Sequence, residues 1–143
     1  MFQRILIAWD GSPVAVRAFD AAIDLARHYD AELVAISIAT APPAAETAAD
    51  REESADAARR YLETTFADVR DRAERAGVAV EHAIVEASAP AEALANYSHE
   101  HGFDLIVCGH HHAKRSGRLL LRGVSQSLLA ATDTPVLVIS EEN

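Results

Sequence analysis

Two short stretches of the 143-residue sequence hold residue types that could do chemistry. One is Asp10-Gly11-Ser12-Pro13, which sets a carboxylate, a glycine and a hydroxyl side by side. The other runs Gly109-His110-His111-His112 and continues through Lys114, Arg115, Arg118 and Arg122 to Gly123-Val124-Ser125. An apolar run, Leu105-Ile106-Val107-Cys108, leads into it, and Leu119-Leu120-Leu121 reads with Leu128 and Leu129 as the buried side of a helix. Strand, glycine, cationic loop, helix is a layout that brings backbone N–H groups and a helix N-terminus to an anion. Each stretch also has a plain structural reading. Asp-Gly-Ser makes a turn and a cap, and a basic loop can simply be solvated.

The elements that must position these loops follow from pattern and punctuation. Ile5-Leu6-Ile7-Ala8 reads as a strand buried on both faces. Ser12 then caps a helix with Pro13 at its first position, and Ala15, Phe19, Ala22, Ile23 and Ala26 mark its apolar face up to Tyr29-Asp30. Glu32 to Ala39 is a second buried strand, and the Ala/Pro-rich segment Thr40 to Ala49 is a loop. Asp50 is expected to cap a long helix, in which Ala55, Ala58, Leu62, Phe66, Val69, Ala73 and Ala76 step by three and four before Gly77 ends it. Val78 to Val85 is a third strand, at a sheet edge because Glu81-His82 interrupts its apolar run. Ser88 is expected to cap a third helix with Pro90 in its first turn and Leu94 and Tyr97 inward, and Pro135 to Ser140 closes the chain as a fifth strand.

Strands alternating with helices predict a parallel α/β sheet with helices on both faces, in a single domain over residues 1–143. In such sheets ligands bind beyond the carboxyl ends of the strands where the strand order reverses. If the first and fourth strands are neighbours, the Asp10 and Gly109 loops open into one crevice.

Composition narrows the partners. A net charge of -9 opposes a nucleic-acid partner, whose affinity comes mainly from phosphate neutralisation, and equally an anionic membrane surface. The Lys114, Arg115, Arg118 and Arg122 cluster inverts that charge locally and suits a small anion. The single cysteine, Cys108, lies in an apolar run, fits a reducing compartment and reads as an inert buried thiol. With no stretch near the roughly 20 apolar residues of a membrane span and no signal-type segment, a cytoplasmic protein is expected.

The sequence resembles the universal stress protein family. The resemblance is carried by Ala8-Trp9-Asp10-Gly11-Ser12, Leu105-Ile106-Val107-Cys108-Gly109, Leu119-Leu120-Leu121 through Val124-Ser125, and Thr134-Pro135-Val136-Leu137-Val138-Ile139, in that order. It implies a five-stranded parallel sheet in the order 3-2-1-4-5, of the adenine-nucleotide alpha-hydrolase-like type. It also implies a homodimer paired through Pro135 to Ser140, an apolar edge that needs covering. ATP-binding members carry G-x2-G-x9-G-(S/T). Gly109 matches the first position, while His112, Arg122 and Gly123 stand at the second, third and hydroxyl positions. An imidazole and a guanidinium would crowd a triphosphate, so the resemblance implies weak or absent ATP binding, with a small anion or no ligand in its place. Were a nucleotide held, Asp10 would lie near ribose and phosphates or hold a divalent ion. Ala8, Trp9 and Ile38 would neighbour the base. Gly109, Gly123, Val124 and Ser125 would supply donors, and His110, His112 and Arg122 would offer positive charge.

Other chemistries have less support. Residues alternate sides along an extended segment, so His110 and His112, with help from Asp10, are the only pair of the three histidines able to share a metal, and no metal site is expected. Neither Ser12 nor Ser125 has a histidine at a diagnostic spacing, and no nucleophile elbow is present. The expected function is therefore a dimeric regulatory or protective module rather than an enzyme. Its rivals are an ATP-binding switch holding nucleotide between the Asp10 and Gly109 loops, and a scaffold using the segment around Pro42 and Pro43.

Overall fold

The computed structural model of the chain describes residues 1–40, 47–111 and 123–141. Strands β1 (Arg4–Ala8), β2 (Glu32–Ala39), β3 (Val80–Glu86), β4 (Leu105–His110) and β5 (Val136–Ser140) alternate with helices α1 (Pro13–Tyr29), α2 (Ala48–Arg75), α3 (Pro90–Glu100) and α4 (Val124–Ala131). The sheet order is β3-β2-β1-β4-β5 and every pairing is parallel, as the resemblance implied. The chain runs outward from β1 through β2 to β3, then crosses to β4 and β5, so the order reverses between β1 and β4.

Side-chain alternation along β1 divides the core. Ile5, Ile7 and Trp9 point toward α1 and α2, where they meet Phe19, Ile23, Phe66 and Val69. Leu6 and Ala8 point the other way, against Leu94 of α3 and Val124 and Leu128 of α4. All four residues Ile5 to Ala8 have no solvent exposure. Burial of this kind contributes about 1.5–3 kcal/mol for each large aliphatic side chain.

Local chemistry sets the helix ends. Ser12 Oγ accepts from Ala15 N at 3.2 Å with Pro13 just inside α1. At the other end Asp30, at φ 53°, gives its N–H to the carbonyls of Ala26 and Arg27. Four expectations are corrected. Thr47, not Asp50, caps α2: its Oγ1 accepts from Asp50 N at 3.0 Å, which leaves the Asp50 carboxylate in the first turn, where the helix dipole favours it. The helix thus begins inside the segment read as loop. Ser88 does not cap α3 either, because Pro90 begins the helix and makes Ala89 the cap, with no side-chain bond. Third, β3 starts at Val80, after Gly77 takes φ 78° to close α2. Finally, Leu129 is 58% exposed although its neighbour Leu128 is fully buried, since successive residues of a helix face different ways. Residues 119–121, read as part of that helix, lie outside the described residues.

Gly109 shows why α1 can lie on β4. A Cβ there would stand 2.9 Å from Cγ1 and 3.1 Å from Cγ2 of Val14, and 3.2 Å from the Val14 carbonyl oxygen. Gly109→Ala should therefore destabilise the protein by about 1–3 kcal/mol. Val14→Ala in the same chain should recover part of that loss, leaving the share due to the carbonyl. A double-mutant cycle in urea measures the coupling; strictly additive effects would refute the contact.

His82 of β3 is half-buried, with Nε2 2.8 Å from Ser37 Oγ, and its ring lies against Phe66 with centroids 4.2 Å apart. Because Ser37 Oγ donates to the Trp9 carbonyl at 2.7 Å, the imidazole Nε2–H is the donor to Ser37. Burial, and secondarily the Arg70 guanidinium, lowers its pKa from 6.5 to about 4. The unfolded chain takes up this proton near pH 6.5 and the folded chain only near pH 4. Stability from His82 is thus complete above the first value and falls as pH drops toward the second. Between about pH 7.5 and about pH 4.5 the loss should be about 1–2 kcal/mol after allowance for solvent screening. His82→Gln should remove that component from the urea midpoint, and equal losses in both proteins would count against it.

Candidate functional site

The carboxyl ends of β1 and β4 lie side by side, since Ile7 of β1 pairs with Val107 of β4. Past Ala8 the backbone is held by Trp9 N donating to Ile36 O at 2.8 Å and by Ser37 Oγ donating to Trp9 O. Asp10 then turns inward and is only 3% exposed. Its Oδ1 accepts from Ser12 N at 2.9 Å and from Ser12 Oγ at 2.5 Å, an Asx turn that leads directly into the α1 cap. Gly11 makes the bend at φ 81°, under Tyr61 and Thr65 of α2.

From the β4 side, successive histidines go to opposite faces. His110 belongs to the strand, and its Nδ1 lies 2.8 Å from Ser125 Oγ at the start of α4. His111 is 6% exposed and crosses to the other side, where Nε2 stands 3.4 Å from Asp10 Oδ2 and 3.5 Å from Ser12 Oγ. Its second nitrogen, Nδ1, is 3.1 Å from Oε1 of Glu141, the residue after β5. One imidazole thus lies between two carboxylates brought from β1 and β5.

Gly123 caps α4 at φ 73°, a left-handed conformation that favours glycine, and offers no side-chain cap. Val124 and Ser125, 7% and 4% exposed, follow it. The first turn of α4 therefore presents backbone N–H groups, with the Ser125 hydroxyl beside His110. A hollow of about 340 Å³ borders Gly123 and Val124 on one side and Pro90 of α3 on the other. A larger one, about 710 Å³, opens beyond the ends of β2 and β3, lined by Ala39, Thr40, Glu86 and the first turns of α2.

The structure thus places Ala8, Asp10, Gly109 and His110 at the carboxyl ends of β1 and β4, and Gly123, Val124 and Ser125 at the start of α4. Ile38 is buried in the α3/α4 layer together with Ala8. Trp9 goes elsewhere: it is 1% exposed, its ring packs edge-on against Phe19 and Phe66 with centroids 6.0 Å away, and Nε1 donates to Thr65 Oγ1. Alternation along β1 puts its indole in the opposite layer from Ala8 and Ile38, so it is a core residue of the α1/α2 side. His112 and Arg122, with Lys114, Arg115 and Arg118, lie outside the described residues. Of the metal pairing considered, His112 lies outside the described residues, and His110 turns to α4 while His111 is the histidine that reaches Asp10. Among the described residues no group of three His, Cys, Asp or Glu side chains could hold a metal ion.

Sequence spacing missed three participants: Ser12 as a partner of Asp10, His111, and Glu141. Ser12 and His111 are 99 positions apart, so only the strand order brings them together. The one signal available was parity, since a residue one past His110 must face the α1 side. Ser12, although beside His111, is not an activated nucleophile by this geometry. Ser12 spends its proton on Asp10 and its lone pair on the helix cap, and is buried. Cys108 is also buried, and burial raises its thiol to a pKa of about 11, which leaves it protonated and unreactive. Among the described residues no helix is long and apolar enough to cross a membrane.

Known proteins share both sequence and fold. Residues 1–140 match the model of the universal stress protein family. A universal stress protein of Methanocaldococcus jannaschii is 27% identical over 143 residues, covering 99% of this chain and 84% of that protein. A crystal structure of a family member from Burkholderia pseudomallei is 30% identical with a TM-score of 0.75, over 96% of both chains. A universal stress protein crystallised in complex with cAMP is 25% identical with a TM-score of 0.71, over 96% of this chain and 97% of that one. By fold, strand order and sequence, the chain belongs to the universal stress protein family.

Proposed function

We propose that this universal stress protein is a dimeric, cytoplasmic regulatory and protective module, not an efficient enzyme. Its crevice between the Asp10 and Gly109 loops takes a nucleotide with one phosphate in preference to ATP. The observation that carries this reading is the engaged Asp10 carboxylate: Oδ1 is spent on Ser12 and Oδ2 faces a buried His111. Ribose and triphosphate would compete with both. The α4 N-terminus, with Gly123 as its cap and His110 beside Ser125, suits a single anionic group. The cAMP complex of a related protein supports a ligand of that size. His112 and Arg122 stand where the ATP-binding pattern has glycines, and their bulk works in the same direction.

Calorimetric titration should show AMP or cAMP binding more tightly than ATP. His112→Gly with Arg122→Gly should tighten ATP binding about tenfold, the effect of regaining one good phosphate contact. Gly123 is left unchanged because a side chain there would be strained at φ 73°. Tight ATP binding by the unaltered protein, or ATP released on denaturing it, would overturn the preference.

The dimer reading rests on β5, the last strand of the sheet, whose Val136 to Ile139 are only partly buried. Ile106 N donates to Pro135 O, so in a parallel ladder Pro135, Leu137 and Ile139 bond β4, while Val136 and Val138 turn their N–H and C=O groups outward. Val138→Pro removes one outward donor and spares the β4 ladder. It should shift the protein toward monomer in light scattering, and an unchanged mass would exclude β5 pairing.

A further inference from the structure

We propose that the His111–Glu141 contact is an autoinhibitory latch: it holds His111 against Asp10 and keeps the crevice shut to nucleotide. The inference rests on the crevice being the nucleotide site proposed above, and names how access to it is controlled.

The Asp10 side chain has no solvent exposure, and its Oδ2 makes no hydrogen bond among the described residues. Among the described residues His111 Nε2 stands 3.4 Å from it. A buried acceptor in that state favours any incoming donor, such as a ligand hydroxyl or water, over remaining as it is. What stands in front of it is an imidazole whose side chain is 3% exposed. Both ring nitrogens face carboxylates, Asp10 on one side and Glu141 on the other, at 3.4 Å and 3.1 Å. The ring cannot turn out of the crevice without giving up Glu141.

Glu141 is itself held in place. It directly follows β5, its side chain is 11% exposed, and the carbonyl of the preceding Ser140 accepts from Arg17 Nη1 of α1. The end of β5 is therefore tied to the same helix that Ser12 caps. Opening requires His111 to leave Glu141 while the tail stays docked, or the tail to leave with it. In either case the apparent affinity for a ligand that needs Asp10 is the intrinsic affinity reduced by the fraction of molecules unlatched.

The test compares the full-length wild type with Glu141→Ala and His111→Ala, using AMP as the probe. Amide exchange is followed by mass spectrometry over residues 109–111 and 139–141, and affinity by calorimetry. Glu141→Ala should speed exchange at 109–111 and tighten AMP binding about tenfold, the scale expected for loss of one charge-assisted hydrogen bond. His111→Ala should bind AMP at least as tightly as Glu141→Ala; if it does not fold, Glu141→Ala alone decides. The latch is overturned if Glu141→Ala leaves exchange at 109–111 unchanged. It is overturned equally if AMP affinity stays the same or weakens while the wild type binds measurably. If exchange speeds up but neither the variants nor the His112→Gly, Arg122→Gly protein binds any nucleotide, the nucleotide reading itself fails. The gate falls with it, although the contact between His111 and Glu141 stands.

Discussion

A central strand whose residues Ile5 to Ala8 are all apolar and without an exposed face governs this molecule. Ile5 to Ala8 are wholly buried between two helix layers, so none of these four residues can bind or react. Past Ala8 the chain must leave the sheet and find partners for backbone groups that the ladder no longer serves. Asp10 and Ser12 meet that demand locally, by an Asx turn and a helix cap. Because β4 lies beside β1 on that side, the residue that follows β4 meets the same two residues.

Close approach of α1 to β4 completes the arrangement. Gly109 permits it by having no side chain to meet Val14. A residue that the family resemblance would give to phosphate binding thus has a sufficient reason in packing, and the two roles are compatible. The glycine lets the helix lie low on the sheet, which brings the Ser12 cap within reach of the residue that follows β4. His111 occupies that position and meets Asp10. Burying a carboxylate beside an imidazole and a second carboxylate is costly unless the groups satisfy one another, and Asp10 Oδ2 has no hydrogen bond among the described residues. The arrangement is therefore specific in geometry and sensitive to any one partner.

Much of this was legible in the residues. The five strands and four helices were recoverable from apolar runs, helical spacing and Gly/Pro punctuation, because these signals report on burial over many positions. Helix starts were less so. Thr47 and Asp50 are both good caps three residues apart, and the choice between them turns on where the backbone first becomes helical. Ser88 lost to Pro90 for a similar reason, as a proline fixes the first helical position and so fixes the cap one residue before it. Trp9 was placed beside the base by resemblance, but strand parity sends its indole into the aromatic cluster with Phe19 and Phe66.

The sequence by itself determined the class of fold, the two loops that matter, and the altered glycine pattern at His112, Arg122 and Gly123. Each is a property of neighbouring residues, and neighbouring residues are what a sequence displays. Only the tertiary structure decided that His111, and not His110, faces Asp10, and that Glu141 closes on it from beyond β5. Those contacts join residues about a hundred and about thirty positions apart. Their distances depend on which strands lie side by side and on how closely α1 settles on β4, and no local pattern encodes either.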